Sequence, residues 1–188
     1  MNLWLRLIWL FVTSRWRSQI APTEVSELHF RVWPHDLDTS LHMNNGRYLG
    51  IMDLGRLDVI LRTRLWRAVL RHRWTPIASA AQIRFSRELR LFDRFRLETC
   101  IRAWDETSVV MEQVFIFDGG KRDGEVCARA LFRGGLYDRA RRRFVPIAVM
   151  MSEIGATGDS PPLTPEVEAF LKADQALRDA QALPAPQA

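Results

Sequence analysis

Lysine is almost missing from this chain: Lys121 and Lys172 are the only two among 188 residues. The formal charge of +5 and the isoelectric point near 10.0 therefore come almost wholly from arginine, a bias that a GC-rich genome produces as readily as function does. The charge by itself excludes no anionic partner, whether CoA phosphates, an acidic carrier protein, anionic lipid or nucleic acid. Cysteine is scarce too. Cys100 and Cys127 both fall in strand-like segments without CxxC or metal-ligand spacing, so they are expected as buried free thiols in a reducing, cytoplasmic setting. The four histidines, His29, His35, His42 and His72, form no HExxH or comparable pattern, and neither metal nor cofactor is expected.

A hydrophobic run long enough to cross a bilayer is also lacking. The start, Met1 to Val12, is apolar but interrupted by Arg6, followed by Arg15 and Arg17, and has no small-residue cleavage site, so it is not read as a signal peptide. On a helical wheel Asn2, Arg6, Thr13 and Arg17 share one narrow stripe, and tryptophans and leucines cover the rest. Two readings stand: a helix lying at the inner membrane face through residues 1–18, or one docked on its own domain.

What is present is enough apolar residue, 47%, for one real core. The pattern divides into an amphipathic helix over 1–20, a globular domain over 21–152, and a C-terminal helix and tail over 153–188 that ends in the Pro/Ala-rich stretch Leu183 to Ala188. Within the domain, Leu28 to Trp33 reads as a strand that leads into a turn-rich loop, His35 to Asn45. From Gly46 to about Leu70 the pattern is helical and apolar on two sides, as a buried helix must be, with Gly50 and Gly55 expected to allow close approach to a sheet. Strand runs then cover Gln82 to Arg87, Phe95 to Ile101, Val109 to Phe117 and Val126 to Tyr137, with a turn at Asp118-Gly119-Gly120 and Asp123-Gly124. Thr164 and Pro165 open a last helix running to about Gln181. The class is α+β, an antiparallel sheet around one long central helix.

The loop into that helix reads Asp36-Leu-Asp38-Thr-Ser-Leu-His42-Met-Asn44-Asn45-Gly-Arg-Tyr48. It resembles the DxDxxxHxNNxxY pattern of the hotdog-fold thioesterases, the group that holds 4-hydroxybenzoyl-CoA and acyl-carrier-protein thioesterases. Within that group it resembles the branch of thioesterase superfamily member six. Asp53-Leu-Gly-Arg56 looks like the acidic-x-x-Arg step of the family's central helix, and Val145-Pro146-Ile147 like its closing strand. The resemblance spans roughly residues 25–150. It implies a thioester hydrolase of lipid metabolism acting on acyl-CoA or acyl-carrier protein, and a homodimer or dimer of dimers.

Such chemistry needs an activated nucleophile, a donor for the oxyanion and an apolar slot. Asp38 aligns with the family's catalytic carboxylate. His42, Asn45 and Asp53 are further catalytic candidates, and backbone amides near Asn45 and Gly46 are candidates for the oxyanion donors. Asn44, Gly46, Tyr48 and Arg56 are the candidate substrate-binding residues. Each has a plainer explanation: Asx turns for Asp36 and Asp38, helix capping for Asn44 and Asn45, ion pairing for Asp53 with Arg56. An enoyl-thioester hydratase needs a DxNPxH-like run with aspartate and histidine five apart, whereas Asp38 and His42 are four apart with no proline between. A non-catalytic acyl-binding hotdog stays open. The arginines 62, 64, 67, 71 and 73, interleaved with Trp66 and Trp74, read as a solvated helix end or as a contact for CoA phosphates or an acidic carrier. No nucleic-acid motif accompanies them, and no nucleic-acid partner is expected.

Overall fold

The structure is a computed structural model, and residues 3–182 are described; Met1, Asn2 and the Pro/Ala-rich end fall outside them. The element order is α1 (Leu3–Thr13), β1 (Ser26–Arg31), α2 (Asn45–Arg62), α3 (Trp66–His72), β2 (Trp74–Phe85), β3 (Arg94–Trp104), β4 (Val109–Phe117), β5 (Val126–Asp138), β6 (Arg143–Phe144), α4 (Ile147–Glu153) and α5 (Pro165–Ala182). One antiparallel sheet runs β1-β3-β4-β5-β2, with β6 also paired to β5, and it curls around α2 in the hotdog manner.

Period-two alternation sorts β3. Phe95, Leu97 and Thr99 face the core while Arg96, Glu98 and Arg102 face away. Opposite them, Tyr48, Ile51, Met52, Leu54, Gly55 and Val59 make two buried sides of α2, and Phe95, Leu97, Phe115 and Phe117 close the core against them. Gly55 lies where that packing is tightest. A Cβ there would stand 2.4 Å from Thr99 Oγ1, 2.7 Å from Leu97 and 2.9 Å from Gln113 Nε2. Gly55→Ala is therefore expected to lower stability by about 1–3 kcal/mol, the usual result of overpacking, readable as a shifted denaturant midpoint at unchanged slope. Gly50 departs from the expectation: it faces Leu3 of α1 at 3.5 Å, an ordinary contact, and not the sheet.

Two element boundaries also differ from the sequence reading. The helix expected to reach Leu70 breaks into α2 and α3, because the Thr63 hydroxyl donates to Val59 O at 2.7 Å and Arg64 adopts a left-handed conformation (φ 62°). The strand read as Gln82–Arg87 is the end of the twelve-residue β2, paired to β5 from Trp74 to Phe85 with one irregularity between Ala78 and Ala80. β2 forms one border of the sheet, where Pro76 and a run of small residues are tolerated. The sheet's other face carries α5, seated through Val167 and Phe170 on Ala103 and Val110 and tied by Arg133 to Asp174 at 2.7 Å.

Candidate active site

The loop between β1 and α2 is held by Asp36. Its buried carboxylate accepts from both terminal nitrogens of Arg6, at 2.6 and 3.1 Å, and from the Trp33 amide at 2.9 Å, while its carbonyl accepts from Asn44 N at 2.9 Å. The first aspartate of the motif is thus a structural anchor that links α1 to the loop. Nothing in the local sequence shows this, since the partner lies thirty residues away. Arg6→Met would take the nearest cation from that buried carboxylate, leaving His35 at 3.5 Å and Arg47 at 3.9 Å, and a loss of up to about 3–5 kcal/mol is expected on urea unfolding.

Asp38 sits at the loop's turn. One carboxylate oxygen accepts from Ser40 N at 2.9 Å, the other lies 3.3 Å from His42 Nδ1, and the Asp38 amide donates to His42 O at 3.0 Å. Leu41, between them, has a positive φ of 61° and is 73% exposed. A bulky side chain in that conformation is strained, and the pinned ends of the loop hold it there. Asn44 then caps α2, its side-chain oxygen accepting from Gly46 N at 2.8 Å. That bond spends the Gly46 amide and leaves the Asn45 N–H as the first-turn donor without a hydrogen bond among the described residues. Tyr48 is a core ring, packed edge-on against Phe85 and Phe115 at 5.0 and 4.9 Å, and burial raises its phenol pKa while a hydrogen bond with the Leu89 backbone opposes the rise. His42, Asn45 and Tyr48 line a shallow hollow together with Phe85, Arg87 and Arg122.

Asp53 and Arg56 lie elsewhere. Arg56 is about 16 Å along the α2 axis from Asn45 at about 1.5 Å per residue, and both residues line a second, apolar cavity of about 250 Å³. Its walls include Ile60, Ile77, Ile101, Met111, Phe132 and Met150. Arg56 contacts Asp53, donates to Gln113 Oε1 at 2.8 Å, and stacks over Phe132 at 3.8 Å from the ring centre. Burial pulls the Arg56 guanidinium below its ordinary range, and Asp53 pushes back. Gln113 is a residue the sequence reading missed. Its amide donates to Met52 O and Thr99 Oγ1 at 2.9 and 3.1 Å, so its oxygen is aimed at Arg56. Only the polar pair Glu112-Gln113 within the apolar run Val109–Phe117 signalled it.

Within one chain, then, the candidates form two groups: Asp38, His42, Asn44, Asn45, Gly46 and Tyr48 at the loop, and Asp53 with Arg56 at the cavity. Neither thiol competes for nucleophilic duty. Both cysteines are free and buried, and burial pushes the Cys127 thiol up to about 12 and the Cys100 thiol above its usual range. Two of the interleaved arginines are engaged within the fold, Arg62 with Ser18 and Asp58, and Arg71 with Glu153.

The sheet order and central helix are shared with solved structures. A probable thioesterase from Escherichia coli, YbaW, superposes with a TM-score of 0.62 at 20% identity, covering 68% of this chain and 94% of that one. A 4-hydroxybenzoyl-CoA thioesterase variant in complex with 4-hydroxybenzoyl-CoA gives 0.62 at 15%, covering 69% and 97%. At these identities the likeness shows the fold. Among sequences, Protein THEM6 of Danio rerio is 36% identical over 130 residues, 69% of this chain and 63% of that protein, and Protein THEM6 of Drosophila melanogaster is 25% identical over 117 residues, 61% of each. The matched part of the chain spans less than two thirds of the length of these relatives. The model of the thioesterase-like superfamily matches residues 32–170, which cover the motif loop, the central helix and every strand after β1, and the chain belongs to that superfamily.

Proposed function

We propose that the protein is a thioester hydrolase that releases a carboxylic acid and a thiol from an acyl-CoA or acyl-carrier protein, and that Asp38 is its catalytic carboxylate. The observation that carries this is the placement of Asp38: a half-buried carboxylate, fixed by Ser40 and His42, at the entrance to a central helix whose Asn45 amide is unspent. Asp38 takes a proton from water as the oxygen attacks the thioester carbonyl, or attacks that carbon itself. The oxyanion rests on the Asn45 N–H, with the helix dipole favouring negative charge there. The thiolate leaves, taking a proton; in the first route this releases the acid directly, and in the second it leaves an acyl-aspartyl anhydride that water hydrolyses to the acid and the free Asp38 carboxylate. The cavity beside Asp53 and Arg56 receives the acyl group, and its apolar walls suit a hydrocarbon or aryl chain.

The two groups of candidates join in a dimer. β2 is an open border strand, and such borders are normally paired or covered. Partner positions in a two-fold antiparallel pair add to a constant, so pairing about Ala81 sets Phe85 of one copy against Ile77 of the other. Phe85 lines the hollow of His42 and Asn45, and Ile77 lines the apolar cavity. The loop of one copy then faces the cavity of the other, and each composite site draws on both chains.

The test is thiol release from a panel of acyl-CoAs of increasing chain length and from acyl-carrier protein, followed with a thiol-reactive dye. Turnover of at least one thioester is expected. Saturable acyl-CoA binding with no thiol released from any of them would replace this reading with an acyl-binding role.

A further inference from the structure

α1 is docked by its polar stripe. Arg6 clasps Asp36 and donates to the Arg31 carbonyl at 2.9 Å, while Arg17, just past the helix, pairs with the buried Asp58 at 2.6 Å and donates to the Glu27 carbonyl. Arg31 and Glu27 belong to β1, the other border of the sheet, so the two arginines occupy carbonyls along that edge. Leu10 is buried on the same side, and Leu3 meets Gly50.

The face turned outward is the reverse of what a docked surface helix normally shows. Trp4, Leu5, Ile8, Trp9, Phe11 and Val12 are all exposed, Trp4 and Trp9 at 69%, and Trp16 follows at 78%. At about 100° per residue, α1's exposed positions fill an arc of about 160° with no polar residue inside it. An ordinary amphipathic helix buries its apolar arc and wets its polar one. Here the arginines are spent inward on buried carboxylates, and the apolar arc faces solvent.

We infer that this arc is a docking surface for a lipid bilayer carrying anionic headgroups. Three features select lipid. Tryptophan, with an apolar body and one N–H, suits the headgroup boundary, and two of the arc's residues are tryptophan with a third next to it. Arg15, exposed in the turn just past the arc, supplies a cation for anionic headgroups. The exposed arc runs along the side of α1, and no helix among the described residues is long and apolar enough to cross a membrane, which fits α1 lying in the interface. Because the inward side of the same helix grips Asp36, two residues before Asp38, a bilayer under α1 carries the motif loop at its surface. The surface itself stands apart from the reading of the site as hydrolytic.

The experiment uses the full chain with phosphatidylcholine vesicles, with and without phosphatidylglycerol. Deleting α1 is unsuitable because it would remove Arg6, the nearest cation to the buried Asp36 carboxylate. The variant is Trp4→Ser/Trp9→Ser/Trp16→Ser, whose side chains are exposed and whose thermal midpoint and sedimentation mass in buffer should match the parent. The parent is expected to sediment with the anionic vesicles and to have its tryptophan emission quenched by brominated acyl chains. The variant should lose about tenfold or more in partitioning. Should the triple variant fail to fold, Trp9→Glu alone is expected to show the same loss. A parent that ignores anionic vesicles, or variants that sediment with them equally well, would overturn the inference. So would a variant whose only change is a smaller mass in buffer, since the arc would then cover a second copy of the chain.

Discussion

Replacing Asp38 by asparagine is expected to remove thioesterase turnover by about 10²-fold or more while leaving the fold intact. The fold survives because the interactions that shape the turn do not need the charge: an asparagine oxygen still accepts from Ser40 N, and the Asp38 and Leu41 amides bond through the main chain. The charge is what the chemistry needs, since a neutral amide can neither take a proton from water nor attack the carbonyl. A hundredfold loss corresponds to about 2.7 kcal/mol of transition-state stabilisation. The measurement is kcat/KM on the best thioester of the panel, beside a thermal scan. Unchanged turnover in a protein with the parent's midpoint would remove Asp38 from the mechanism. Label found in the Asp38 side chain after single turnover in ¹⁸O-labelled water identifies the nucleophilic route, because it enters there only when water opens an acyl-aspartyl anhydride at the aspartyl carbon. Asp36→Asn should behave differently: its carboxylate holds Arg6 and the Trp33 amide, so stability falls along with activity.

This contrast between two aspartates two residues apart marks how far the sequence was readable. The spacing of the motif located the loop, and the alternation in β3 to β5 located the sheet, because both are local patterns of period or turn chemistry. The exchange between Asp36 and Arg6 spans thirty residues and leaves no local trace. Asp58 is similar. It sits on an apolar helix with no visible reason until Ser26 and Arg17 meet it from distant segments. β2 was read short for a different reason: in the stretch Pro76-Ile-Ala-Ser-Ala-Ala81 a proline and four small residues surround a single β-branched residue, Ile77, and pairing with β5 overrides that weak propensity. The polar stripe on α1 was visible, but which way it would face depends on carboxylates elsewhere in the chain. The separation of Asp53 and Arg56 from the loop could not be read either, since sequence distance along a helix does not say what a second chain will bring opposite.

Mixing two inactive variants should restore activity if the site is shared between chains. Asp38→Asn disables the loop and Arg56→Gln the cavity wall, the glutamine remaining long enough to reach Gln113. In either homodimer both sites carry a defect. In a heterodimer with composite sites, one site inherits both defects and the other inherits none. Random reassortment after joint refolding makes half of the dimers mixed, so about a quarter of all sites should be intact, and activity should approach that fraction of the parent's. A control fixes the geometry. Ala81→Asp sets two carboxylates against each other at the proposed two-fold, where like charges directly opposite on neighbouring strands destabilise pairing. The variant should sediment near the chain mass of 21.8 kDa and lose turnover, because neither loop then meets a cavity. Provided Arg56→Gln alone is impaired, rescue to no more than the average of the two parents would mean that loop and cavity serve one site within one chain. A fully active parent sedimenting at the mass of a single chain would sink the shared site altogether.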